Sequence, residues 1–145
     1  MIQRHDSLVV QQVARLLVPP IQLFAYYVLM HGHYSPGGGF QAGVLIGGSL
    51  ILQLLVATDR QLRRFSPTRE FQGAAGGLAI YFLTGGLALF FGGEFLNYGS
   101  LAFFPGSEVH RRYYGILTAE IGVTIVVAMT LLLIFQILAF LPDEK

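Results

Sequence analysis

Long apolar runs alternate with short polar segments along this sequence. Residues 40–58 and 73–93 carry no charged side chain, residues 8–30 carry only Arg15, and residues 113–141 carry only Glu120. A helix needs about 20 mostly apolar residues to cross the hydrocarbon core of a bilayer. A buried helix of a soluble protein can imitate one such run, but it does not explain four in succession.

The pattern therefore predicts an all-α, polytopic membrane protein with four transmembrane helices, at about residues 8–30, 40–58, 72–93 and 113–141. The segments between them are too short to hold a soluble domain, so residues 1–145 are expected to form a single transmembrane domain. The first run does not read as a signal peptide, because Pro19-Pro20 interrupts it and no small-residue cleavage pattern follows.

Composition agrees with this assignment and narrows the function. Hydrophobic residues make up 54% of the 145 residues and charged residues only 12%, against about 25% charged residues in soluble domains. The net charge of +1 argues against a nucleic-acid partner. The absence of cysteine excludes disulfides, thiol catalysis and cysteine-ligated clusters. No nucleotide-binding loop or catalytic triad is present, so we expect neither an enzyme nor a cofactor.

Arginines in short loops predict the orientation. Cytoplasmic loops carry an excess of Lys and Arg, and the richest loop here is 59–71, with Arg60, Arg63, Arg64 and Arg69. This loop and both termini are therefore predicted to be cytoplasmic. The orientation places His31, His33 and Glu94 on the outer side.

The most distinctive segment joins the first two helices and reads His31-Gly-His-Tyr-Ser-Pro-Gly-Gly-Gly-Phe40. Ser35 suits a helix N-cap and Pro36 the first helical position. Exposed N–H groups at such a helix end can face an anion, and carbonyls freed by local unwinding can face a cation. Alternatively, the segment is a tight turn on which the backbone of another subunit presses. The two histidines are too few for a zinc site, so no metal is predicted.

Glu120 is the sharpest single candidate. A charged side chain inside a membrane helix is costly, so it usually faces a bundle interior, a partner or a water path. Tyr113, Glu120 and Thr124 fall on one helical stripe. Glu120 is either a structural carboxylate paired with a histidine or arginine, or part of an ion pathway together with His31, His33 and Glu94.

Glycines cluster inside the predicted helices, at Gly43 and Gly47, Gly73 and Gly77, and Gly85 and Gly86. Small residues four apart let membrane helices approach closely. These faces predict partner subunits, although they could also be used up within the chain's own bundle.

Two motifs resemble the MrpB/MnhB family of multisubunit Na⁺/H⁺ antiporters. Family members carry a Gly-His-x-x-Pro-Gly-Gly-Gly-Phe signature between their first two helices, and usually Asp-Ile-Gly-Val in the last helix. The first signature is matched by Gly32, His33, Pro36, Gly37, Gly38, Gly39 and Phe40. The second is matched by Glu120-Ile-Gly-Val, with Glu in place of Asp.

The resemblance implies a small subunit of a monovalent cation/proton antiporter in a prokaryotic plasma membrane, with other membrane subunits, the lipid bilayer, Na⁺ and H⁺ as its partners. In this family the main proton channel belongs to larger subunits, which implies a role in lining an ion pathway or supporting assembly. Two alternatives stay open: the same module in a redox-driven complex such as a membrane-bound hydrogenase, and a purely structural assembly subunit.

Overall fold

The computed structural model describes residues 8–32, 37–57, 65–101 and 104–140. Within them the chain forms four α-helices: α1 (Leu8–Met30), α2 (Gly39–Leu55), α3 (Pro67–Phe90) and α4 (Glu108–Phe140). A short 3₁₀ helix, Tyr98–Ser100, lies in the connector between α3 and α4. No strand occurs in these ranges. The all-α prediction is confirmed, and α1, α3 and α4 are each long and apolar enough to cross a membrane. Helix α2 is apolar but shorter, with 17 residues.

The predicted helix boundaries were close at the apolar ends and wrong at the polar ones. Helix α1 matches the predicted 8–30. Helices α3 and α4 each begin five residues earlier than predicted, at Pro67 and Glu108, because a polar first turn extends each helix beyond its apolar run. In α4 this turn contains an ion pair between Glu108 and Arg112, one helical turn apart.

The helices pack in the order α1–α2–α4–α3. Helix α4 packs along both α2 and α3, while α1 packs mainly against α2. The contact between α1 and α2 includes a polar link, in which Gln22 Nε2 donates a hydrogen bond to Ser49 Oγ over 3.2 Å. Ser49 is buried and also donates to the Ile46 carbonyl oxygen. The long apolar helix α4 is therefore the central element of the fold.

Glycines on α2 determine how closely it approaches α4. A Cβ on Gly43 would lie 2.8 Å from the Thr124 carbonyl oxygen, and one on Gly47 would lie 3.2 Å from the Ala128 Cα. Residue numbers rise together along this contact, so α2 and α4 run in parallel. Only a residue without a side chain permits this separation.

Helix α3 uses glycine in the same way but runs antiparallel to α4. A Cβ on Gly77 would lie 2.8 Å from the Gly122 carbonyl oxygen, and one on Gly73 would lie 3.0 Å from Met129 Cγ. By contrast, Gly48, Gly76 and Gly86 face open space. Most of the glycines from which partner subunits were inferred are thus used inside the chain's own bundle, and these three remain available on its surface.

Candidate functional site

The Glu120 carboxyl group lies against two glycines of the segment that joins α1 to α2. A Cβ on Gly32 would stand 3.0 Å from each carboxyl oxygen, and a Cβ on Gly38 would stand 3.0 Å from Oε1. Gly38 also has a φ of 103°, in the region that favours glycine. The glycines therefore form a cradle that a side chain at either position would fill. We call Gly32, Gly38 and Gly39 the glycine cradle.

The main chain of Glu120 also presses on this cradle. A Cβ on Gly39 would overlap the Glu120 carbonyl oxygen. One turn further along α4, Thr124 is buried, and its Oγ1 lies 3.0 Å from the Gly39 carbonyl oxygen and 2.8 Å from that of Glu120. The predicted stripe that joins Glu120 to Thr124 is thus the face that α4 turns toward α2. The backbone that presses on the glycine segment belongs to this chain.

The first helical turn of α2 begins at the cradle. Gly38 is its N-cap residue, and Gly39 is its first helical residue. This start corrects the prediction of Pro36 as the first helical position and Ser35 as the N-cap. Both of those residues lie outside the described ranges, and the helix begins later because Gly38 adopts a conformation that does not continue a helix.

The start of α2 supplies an electrostatic environment for the carboxyl group. The first N–H groups of a helix have no partner within the helix, and its N-terminal end carries a partial positive charge. Glu120 Oε1 lies beside Gly38, at that end of α2. Of the two ligand types that the sequence left open for this helix end, an anion is the one found there, and it is a side chain of the same protein.

The other predicted pathway residues lie at different places. His31 is exposed, with its Nδ1 3.1 Å from the Tyr27 carbonyl oxygen and its ring stacked on Tyr27 at a centroid distance of 4.2 Å. His33 lies outside the described residues. Glu94 is exposed in the connector that follows α3. Among the described residues, no three His, Cys, Asp or Glu side chains are grouped as metal ligands.

Two buried polar residues at the opposite end of the bundle were missed by the sequence analysis. Glu70 is 3% exposed in the first turn of α3, and Gln136 is 6% exposed near the end of α4. Glu70 was assigned to the charged 59–71 loop. The pair Ser66-Pro67 could have revealed an earlier helix start, because Ser favours the N-cap and Pro the first helical position.

Comparison with known proteins is consistent with this site. The family model described as "Domain related to MnhB subunit of Na+/H+ antiporter" matches residues 9–133. The chain therefore belongs to the MnhB family, and the resemblance carried by its two motifs is confirmed.

Individual relatives cover much of the chain. The MnhB-type Na⁺/H⁺ antiporter protein of Bacillus subtilis is 33% identical over 96 residues, which cover 66% of this chain and 67% of the relative. The "Putative antiporter subunit mnhB2" of Staphylococcus haemolyticus is 29% identical over 136 residues, covering 88% and 96%. Its counterpart in Staphylococcus saprophyticus is 27% identical over 137 residues, with the same coverage.

Proposed function

We propose that this chain is a small membrane subunit of a multisubunit Na⁺/H⁺ antiporter, and that Glu120 in the glycine cradle handles an ion on its pathway. The family match over residues 9–133 supports the first part. The position of the Glu120 carboxyl group, between Gly32 and the first turn of α2, supports the second.

The proposed topology has four transmembrane helices with both termini in the cytoplasm. Three helices are long enough to cross the membrane. Helix α2, with 17 residues, extends about 25 Å. It runs beside α4 from the level of Glu120, so it spans most of a core about 30 Å thick. In this orientation the glycine cradle lies near the outer surface of a prokaryotic plasma membrane.

The chemical argument for Glu120 is that a carboxyl group can exchange a proton for a monovalent cation. Helix α4 is apolar on both sides of this residue, so an ionised carboxylate there needs compensation. The N-terminal end of α2 supplies part of it. A bound Na⁺ or proton supplies the remainder, and alternation between the two is the exchange that an antiporter requires.

The subunit assignment is tested in the chain's native host. Deleting this gene alone should abolish Na⁺-dependent proton movement in everted membrane vesicles, and a tagged copy should restore the movement and co-purify with other membrane subunits. A tagged copy that purifies alone, with antiport intact in the deletion strain, would contradict the assignment. Redox subunits in the purified complex would favour the hydrogenase-like alternative.

A further inference from the structure

A buried polar pair lies between α3 and α4, at the end of the bundle opposite the glycine cradle. Glu70 Oε1 accepts a hydrogen bond from the Ser66 backbone N–H over 2.9 Å. Glu70 Oε2 is buried and accepts no hydrogen bond from the described part of the chain. Gln136 Nε2 is also buried, and it donates none there. Buried polar groups without partners are rare in proteins and ask for an explanation.

The helix register sets these two residues opposite each other. Along the antiparallel contact Gly77 meets Ile125 and Gly73 meets Met129. Continuing the same register brings Ser66 opposite Gln136. The Glu70 carboxyl group is hydrogen-bonded to Ser66, so it lies at the same level.

Helical periodicity places both side chains on the facing surfaces. Glu70 precedes Gly77 by seven residues, and Gln136 follows Met129 by seven, which is close to two helical turns in each case. Gly77 and Met129 are themselves contact residues of the α3–α4 interface. Glu70 and Gln136 therefore project into one water-poor interface from its two sides.

We propose that Glu70 is a proton-binding site, with Gln136 as the group that hydrogen-bonds to the carboxyl in both of its protonation states. When Glu70 is ionised, Gln136 Nε2–H donates to Oε2. When Glu70 takes up a proton on Oε2, the new O–H donates to the Gln136 amide oxygen after the amide rotates. An amide both donates and accepts, which makes it suited to a neighbour that gains and loses a proton.

A proton fits this place better than a metal cation. Hard cations are held by a shell of several oxygen ligands, whereas the described residues offer here mainly the carboxyl group and one amide. Helix α4 carries no charged residue from 121 to 140, and the neighbouring Arg69 on α3 is exposed. On the described elements, no charged side chain in this interface faces Glu70, so proton uptake is the available way to remove its charge.

The site deepens the proposed function and rests on it for what the proton serves. Glu120 and Gln136 are 16 residues apart on α4, which corresponds to about 24 Å along the helix. This distance is most of the thickness of a hydrocarbon core. Helix α4 thus has a carboxyl group beside it near each face of the membrane, Glu120 at one end and Glu70 at the other.

The test is infrared difference spectroscopy of the purified complex as its pH is changed. The wild type should show a protonated-carboxyl C=O band that rises as the pH is lowered. Glu70→Gln should remove this band, and Gln136→Leu should shift it, because the carboxyl loses its hydrogen-bond partner. Glu70→Gln keeps an oxygen that can accept from Ser66 N–H, so the complex should still assemble on native gels. The control is Glu108→Gln at an exposed ion-paired position, which should leave the band unchanged.

The alternative is that Glu70 only caps α3. In that case Glu70→Gln and wild type give the same difference spectrum, and the proposal is overturned. A band lost in Glu70→Gln but unmoved in Gln136→Leu would overturn the role of Gln136. The spectrum reports proton binding whether or not the complex is an antiporter, so this test can fail or succeed independently of the proposed function.

Discussion

The side chain of Thr124 hydrogen-bonds across the α2–α4 contact to the carbonyl oxygen of Gly39, over a distance of 3.0 Å. This bond joins the last helix to the first residue of α2, and it lies one turn from Glu120. It fixes the start of α2 relative to the helix that carries the carboxyl group. The glycine cradle is therefore held from both sides, by close backbone contact and by a buried hydrogen bond.

Replacing Thr124 by Val should weaken this contact without changing the side-chain volume much. Hydrogen bonds between membrane helices contribute about 0.6–2 kcal/mol. We expect a lower midpoint of thermal unfolding for the purified complex. Thr118→Val is the matched control, because Thr118 Oγ1 donates only to the Tyr114 carbonyl oxygen within the same helix. Equal midpoints for the two variants would show that the bond to Gly39 adds no stability.

Adding a methyl group to Gly39 should separate α2 from α4. The new Cβ would overlap the Glu120 carbonyl oxygen, and overpacking of this kind costs about 1–3 kcal/mol. Gly39→Ala should therefore reduce the amount of assembled complex seen on native gels. Gly48→Ala introduces the same methyl group on the same helix, where it meets nothing within 4 Å, and it should assemble at the wild-type level. Full assembly of Gly39→Ala would mean that the close approach is dispensable.

The topology can be tested with single cysteines, since the sequence contains none. Thr68 at the start of α3 and Asn97 in the α3–α4 connector are both exposed. A membrane-impermeant thiol reagent added to intact cells should label Asn97→Cys and leave Thr68→Cys unlabelled. In everted vesicles the result should reverse. Labelling of Thr68→Cys from outside the cell would contradict the proposed orientation.

Tyr98 should make the stability of the complex depend on pH in the alkaline range. The phenol lies in the α3–α4 connector, where burial, together with the nearby Tyr81, raises its pKa above the ordinary value of 10.0. A raised pKa in the folded state favours the neutral form. Its contribution to stability is complete below pH 10 and is lost as the pH rises through the folded-state pKa.

Tyr98→Phe should therefore flatten the decline of the thermal midpoint above pH 10, relative to wild type. Tyr26→Phe, at an exposed position, is the control and should follow the wild-type curve. If Tyr98→Phe declines as steeply as wild type, ionisation of this phenol does not limit alkaline stability.

Much of the fold could be predicted because the bilayer imposes a simple rule on length and apolarity. That rule located the apolar part of every helix. It could not locate the first turns of α3 and α4, where polar residues such as Glu70 and Glu108 extend a helix beyond its apolar run. Charge was read there as a sign of a loop, although acidic residues are favoured in the first turn of a helix.

The site was predictable in its residues but not in its geometry. Glu120 and the glycine run were each singled out, because a lone acid in an apolar helix and consecutive glycines at a helix end are both unusual. Their contact depends on α2 and α4 running side by side in parallel, which no local pattern encodes. Glu70 and Gln136 were missed for a related reason, since burial in the α3–α4 interface is a property of the packed bundle.

Glu120 carries the central claim, and two substitutions separate ion handling from a structural role. Glu120→Gln keeps the length of the side chain, so it should still fit the glycine cradle and allow assembly, but it can no longer bind and release a proton. Glu120→Asp keeps the acid and should retain much of the activity. The deciding measurement is Na⁺-dependent proton movement in everted vesicles across pH and Na⁺ concentration, with the assembled complex quantified on native gels. We predict normal assembly with transport lost in Glu120→Gln and largely kept in Glu120→Asp, whereas wild-type transport with an unchanged Na⁺ dependence in Glu120→Gln would contradict the account.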